Sequence, residues 1–328
     1  MANLNFVIIQ ELKHQEICDA SASIPLGQDQ FIVGNDEDNI LRFYSSQQSG
    51  EQIIPHLDIN DYFPNNPKRK EVDIEGVTEV DGVIYWITSH GRNKDAERKP
   101  LRHQFFANKI TNANPPTLEQ VGKSYTQLLL RDMIEDPKLA FLDLQTAETI
   151  APEKEGGLNI EGLTATPQGE LLIGFRNPVR DGKAILIPFK NPQDVIQENQ
   201  DIKAEFGDPI LLDLGGLGIR SIEYWSAIDA YLIIGGDSGT GSQFTLYTWS
   251  GKIADKPNPI SLEFPPDFRP ESILIYPHLN DQFQILSDDG GVIRVDGQEC
   301  KKIPSDNPDK FFRSVWVKIN KLSAEVKE

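Results

Sequence analysis

Short apolar runs with alternating polar positions, each bounded by turn residues, recur along the whole chain, which is the pattern of half-buried β-strands. Five segments share one layout: a strand-like run, a turn, an apolar strand that ends in polar residues, and a third strand. The first runs from Asp19 through Pro25-Leu26-Gly27 into residues 30–36 and then 40–44. The second opens at residues 74–78, turns at Asp81-Gly82 and continues through 83–90; Asp-Gly is a strong hairpin signal. The third has residues 158–164, a turn at Gln168-Gly169, then 171–178 and 184–189. The fourth joins residues 220–224, 231–237 and 244–249, and the fifth joins 271–275, 282–288 and 315–317. Residues 210–214 and 260–264 read as fourth strands.

Repeated four-stranded units of roughly 40–50 residues are the signature of β-propeller blades. The fold class expected is therefore all-β: one β-propeller domain over residues 1–328, with five blades. The run at residues 5–9 precedes the first unit as 210–214 precedes the fourth, so it is expected to supply the outer strand of the last blade and close the ring. The interval between the second and third units is too long for one blade. Within it, residues 126–135 have helical spacing and Asp136-Pro137 ends the run, so a loop and helix insertion is expected over residues 91–148. A degenerate blade concealed in the same interval would make six.

The start of the first strand and the end of the second lie side by side in an antiparallel hairpin. Glu75 is then expected beside His90, Glu161 beside Arg176 and Asn177, Arg220 beside Asp237, and Glu271 beside Asp288, with Asp36 at the matching place in the first unit. Together they would form a polar ring around the propeller axis. In such a ring Glu75, Glu161 and Asp237 are candidate ligands for a hard cation such as calcium, which takes several oxygens. Arg176, Asn177 and Arg220 are candidates for a small anionic molecule, because arginine's planar fork suits phosphate or carboxylate. His90 and Glu161 are candidates for proton transfer. Asp36, Glu271 and Asp288 complete the ring. The alternative is that Glu161 with Arg176, and Arg220 with Asp237, only staple adjacent strands.

A formal charge of −18 argues against nucleic acid or an anionic membrane as partner. No apolar run approaches membrane-spanning length, and the first nine residues lack the basic start of a secretory signal. Cys18 and Cys300 make no disulfide framework and no metal-binding spacing, which fits a reducing cytoplasm and leaves their pairing open.

At Asn159-Ile160-Glu161-Gly162-Leu163, Gly174-Phe175-Arg176-Asn177-Pro178 and Leu214-Gly215-Gly216-Leu217-Gly218-Ile219-Arg220-Ser221, the chain resembles a bacterial family catalogued as domain of unknown function 3616. The resemblance extends from Asp19 to Trp316. More distantly, the Glu-Gly-Leu-Thr layout is similar to propellers grouped with the esterase-like domain of phytase, and to calcium-dependent lactonase and gluconolactonase propellers. The latter resemblance implies calcium at the channel mouth, with Glu75, Glu161 and Asp237 in comparable places. This chain departs from them in setting Arg176 and Arg220 close by and in lacking the full set of asparagine ligands. Two functions are expected from the ring: a hydrolase of phosphate or carboxylic esters, or a non-catalytic module that binds a small anionic ligand or a partner protein.

Overall fold

The computed structural model describes residues 4–113, 115–197, 202–239 and 241–321. The chain opens with β1 (Leu4–Gln15) and then lays down antiparallel four-stranded sheets one after another. Blade 1 holds β2 (Ala22–Leu26), β3 (Gln30–Gly34), β4 (Ile40–Ser45) and β5 (Ile54–Asp58). Blade 2 holds β6 (Ile74–Val80), β7 (Val83–Thr88), β8 (Phe105–Ala113) and β9 (Pro116–Val121), and is followed by the helices α1 (Leu129–Glu135) and α2 (Leu144–Ala147). Blade 3 has β10 (Asn159–Ala165), β11 (Leu171–Asn177) and β12 (Ala184–Phe189), then the short α3 (Pro192–Val195) and β13 (Ile210–Leu212). Blade 4 has β14 (Gly218–Trp225), β15 (Ala230–Gly236), β16 (Phe244–Trp249) and β17 (Asn258–Ile260). Blade 5 has β18 (Pro270–Leu274), β19 (Gln282–Ser287) and β20 (Phe311–Lys321).

The fourth strand of blade 5 is β1, in the order β1-β20-β19-β18, so the two ends of the described chain share one sheet. The fold is an all-β, five-bladed propeller whose innermost strands β2, β6, β10, β14 and β18 touch in a closed ring. The outer strand expected from residues 5–9 is present and continues to Gln15.

The interval 91–148 is not a pure loop and helix insertion. Its residues Phe105–Ala113 and Pro116–Val121 are the third and fourth strands of blade 2. Proline is tolerated where β9 begins because an outermost strand donates to one neighbour only. The helix starts at Leu129 rather than Thr126 and packs Leu129, Leu130 and Met133 against blades 2 and 3.

Each seam between blades has its own apolar core. Trp86 and Phe106 fill the seam of blades 1 and 2, Phe105, Phe175 and Phe189 that of 2 and 3, and Tyr231 and Trp249 that of 3 and 4. Trp225 and Phe283 fill the next, and Phe31, Tyr44 and Trp316 the seam that closes the ring. Cys18 and Cys300, both fully buried, form a disulfide that joins the approach to blade 1 to a loop of blade 5, with 5.9 Å between their Cα atoms. The pairing that the sequence leaves open is made, and the expectation of a reducing compartment, which rested on the lack of a disulfide framework, loses part of its support. No helix is long and apolar enough to cross a membrane among the described residues.

Close approach of the inner strands explains the glycine after Glu161. A Cβ on Gly162 would lie 2.9 Å from Ile219 Cγ2 and 3.1 Å from Gly174 Cα. Gly162→Ala is therefore expected to lower the unfolding free energy by about 1–3 kcal/mol through overpacking, read by denaturant titration. An unchanged midpoint would mean that blades 3 and 4 can move apart freely.

Candidate functional site

Strand pairing puts one residue of every blade in an equivalent place. Gly76 pairs with Ile87, Gly162 with Gly174, Ser221 with Ile234, Ser272 with Leu286 and Ala22 with Gly34. The residues just before them are Glu75, Glu161, Arg220, Glu271 and Ser21. In blades 2 to 5 the register breaks at that residue. Such a bulge re-aims a side chain out of the alternating pattern, and all five residues line one cavity of about 610 Å³. Asp19, Asp73, Asn159 and Arg269, two positions upstream, line it as well, as do Asp36 and Asp288 beyond the second strands.

The centre of the cavity is acidic. One oxygen each from Glu75, Glu161 and Glu271 lies within 4.8 Å of the other two, and all three residues are buried. Glu161 Oε1 accepts from Asn159 Nδ2 at 2.7 Å and from Arg176 Nη1 at 2.9 Å. Its Oε2 is buried without a hydrogen-bond donor. Arg220 donates to Glu271 Oε2 through Nε at 2.7 Å and also through Nη2, and its Nε stands 3.6 Å from Glu161 Oε2. Gly236 leaves room for this arginine, since a Cβ there would come within 2.5 Å of Arg220 Cδ.

Four guanidiniums, of Arg102, Arg176, Arg220 and Arg269, with the amines of Lys94 and Lys301, cannot neutralise the nine carboxylates of Asp19, Asp36, Glu37, Asp73, Glu75, Glu153, Glu161, Glu271 and Asp288 that line the cavity. Burial, followed by the charges of Glu161, Asp73, Asp36 and Glu271, holds the Glu75 carboxyl well above the ordinary range. Burial outweighs Arg220 and pushes Glu271 up to about 8. Asp36 rises to about 7 through burial and then Asp73, Asp288 and Glu37, and Asp73 to about 6 through burial opposed by Arg102. The site is electrostatically incomplete near neutral pH and takes up either protons or a cation.

Several expected residues stand elsewhere. Arg176 uses each of its three nitrogens within the fold: besides Glu161 it donates to Asp237 O at 3.0 Å and Gly239 O at 2.6 Å. Arg220 pairs across the blade boundary with Glu271, not with Asp237, because the bulge turns it toward the axis and away from its own hairpin. The Asp237 carboxylate accepts from Gln243 N at 2.8 Å and does not line the cavity; Glu271 occupies the third place in the acidic cluster. Asn177 donates to Pro152 O and Lys154 O at 2.8 and 2.6 Å and so holds the loop that carries Pro152 and Glu153 to the cavity wall.

His90 does not reach the cavity. Strand β7 ends at Thr88, the backbone of His90 turns to φ 54°, and the imidazole is buried with Nδ1 2.8 Å from Thr88 O and its ring against His103. Burial lowers it to about 4. Asp19 and Asp73 were not anticipated, although their matching places two residues before Ser21 and Glu75 repeat through the blades and carried the signal.

The sequence model of the family described as "Protein of unknown function (DUF3616)" matches residues 19–114 and 107–280. No curated protein matches the chain. Among solved structures the chain is similar to the PQQ-bound aldose sugar dehydrogenase of Streptomyces coelicolor at 10% identity and a TM-score of 0.48, over 98% of this chain and 99% of that one. It is similar to the arabinanase Arb43A of Bacillus subtilis at 9% identity and a TM-score of 0.48, over 94% and 95%. The Cps50 (Swd1) β-propeller domain of Myceliophteria thermophila aligns at 12% identity and a TM-score of 0.42, over 96% and 100%. Likenesses this distant carry no argument about chemistry.

Proposed function

The chain belongs to the DUF3616 family, which has no assigned activity, and from that premise we propose that its channel mouth is a cation-assisted hydrolytic site for phosphate or carboxylic esters. The observation that carries this reading is the trio of glutamate oxygens within 4.8 Å of one another, together with the Oε2 of Glu161, which is buried and accepts no hydrogen bond, with the Arg220 guanidinium 3.6 Å away. Oxygens so spaced fit a cation of calcium size, whose ligands stand about 2.3–2.6 Å away. A cation there would polarise an ester oxygen and acidify a bound water.

The chain's own groups supply the rest. Asp36, raised to about 7, is matched to proton transfer near neutrality, a role that His90 has no access to fill. Arg176 and Arg220 position Glu161 and Glu271, and their charges are balanced chiefly by those glutamates. An anionic substrate group would instead meet Lys94, Arg269 and Lys301, which line the same cavity and make no salt bridge among the described residues. An acidic floor below a basic rim suits an anionic ester with its reacting bond at the cation.

A panel of chromogenic esters and phosphoesters, assayed with calcium or with chelator, tests the proposal. Turnover is expected with calcium, abolished by chelator and lowered at least tenfold in Glu75→Gln, a change that breaks no ion pair. Absence of calcium-dependent turnover across the panel, with calcium bound, would leave a binding module instead.

A further inference from the structure

We infer that the opposite mouth of the propeller channel is a second binding site, which takes a small protonated amine with a compact apolar body on the carboxylate of Glu223. The inner strands start at the charged cavity and end at another of about 500 Å³, and the two share no lining residue. Ser21, Glu75, Glu161, Arg220 and Glu271 line the first. Pro25, Thr78, Thr164, Glu223 and Ile273, further along the same five strands, line the second. On the way, hydroxyls stitch neighbouring inner strands together: Ser23 Oγ meets Ser272 Oγ at 2.6 Å, and Ser221 Oγ accepts from Ile273 N at 3.2 Å.

The second cavity has a different chemistry from the first. Its walls are the apolar side chains of Ile24, Pro25, Ile273, Ile275 and Pro277 with the hydroxyls of Thr78 and Thr164, and no basic side chain lines it among the described residues. Its charged groups are Glu79, which is exposed, and Glu223, which is half-buried. Glu223 stands where blades 2 and 3 carry Thr78 and Thr164, two residues after the equivalent Ser221, Gly76 and Gly162. A hydroxyl therefore suffices for packing at this place in the ring, and the carboxyl is an addition to it. Glu223 makes no salt bridge among the described residues, and its one hydrogen bond comes from Thr164 Oγ1 at a long 3.4 Å. That oxygen itself accepts from Tyr224 N at 3.3 Å, which leaves its proton for Glu223. Burial holds the Glu223 carboxyl well above the ordinary range, opposed only by the same hydroxyl.

A carboxylate so placed gains most from a ligand that brings its counter-charge. A hard metal ion takes several oxygen ligands, and one carboxylate among hydroxyls and apolar groups is a poor set for it. An anion would meet two glutamates and no cation. An ammonium group brings three donors, which Glu223 and the threonine hydroxyls can accept, while the isoleucines and prolines cover its carbon body.

The full chain is titrated calorimetrically with butylammonium and benzylammonium at about pH 8, where alkylamines remain protonated, and with benzyl alcohol and benzoate as neutral and anionic counterparts. Saturable binding of at least one ammonium is expected, with each counterpart weaker by about tenfold or more. Glu223→Gln is expected to weaken the ammonium by about tenfold or more, and Glu75→Gln, at the other mouth, to leave it unchanged. No ammonium bound by the parent chain, a counterpart bound as tightly, or an affinity lost in Glu75→Gln and kept in Glu223→Gln would each overturn the inference. If Glu223→Gln does not fold, benzylammonium against benzyl alcohol in the parent chain decides it without any variant.

Discussion

Arg220→Met is expected to lower the unfolding free energy by about 3–5 kcal/mol at about pH 8, and by distinctly less near pH 5. Removing one partner of a buried ion pair leaves the other charge uncompensated, and that is the range such losses take. The guanidinium is 7% exposed and is the principal counter-charge of Glu271, with Glu161 within reach. The pH dependence follows from the direction of the Glu271 shift. A carboxyl raised to about 8 in the folded chain contributes stability that is complete below its unfolded value and is lost as pH rises through the folded one. Without Arg220 that value rises further, so the penalty is greatest where the unfolded chain is fully ionised. Urea titrations of parent and variant at the two pH values measure the difference. Equal losses at both would mean that Arg220 contributes packing over Phe244, 5.5 Å away, and not charge.

Replacing both Cys18 and Cys300 by alanine is expected to remove about 2–5 kcal/mol, as loss of a native disulfide commonly does. The bond spans 282 residues of sequence and ties blade 1 to blade 5 at the seam that β1 also closes. It bears on the site too, because Asp19 and Lys301 are the next residues after the two cysteines and both line the cavity. A lowered melting temperature with weaker calcium uptake is the expected result. A melting temperature unchanged by the double substitution or by reductant would show that the strand pairing of β1 with β20 holds the ring alone.

The parts of the fold that could be read from the chain are those whose signal is local. Turns such as Asp81-Gly82 and Gln168-Gly169, set between alternating runs, mark inner hairpins without reference to anything distant. Strands β8 and β9 escaped because they lie at the outside of a blade, where Asn108, Lys109 and Asn112 interrupt the apolar pattern and Pro116 resembles a stop signal. The pairing of Glu161 with Arg176 was legible because it lies within one hairpin. Arg220 with Glu271 was not, since bulged residues point across a blade boundary that hairpin geometry does not describe. His90 differs for a related reason: hairpin pairing extended through residue 90 sets it beside Glu75, whereas β7 ends at Thr88 and His90 lies in a left-handed turn. Cys18 and Cys300 gave no local sign, and only closure of the ring brings them together.

The central claim is that the carboxylates of Glu75, Glu161 and Glu271 are arranged to hold a cation and not merely to share protons. Anomalous diffraction from crystals grown with calcium or terbium at about pH 8 tests it most directly. The account predicts a peak between the three carboxylates, about 2.3–2.6 Å from an oxygen of each. A well-ordered channel mouth with no peak there, and with the three glutamates hydrogen-bonded to one another through protons, would contradict it.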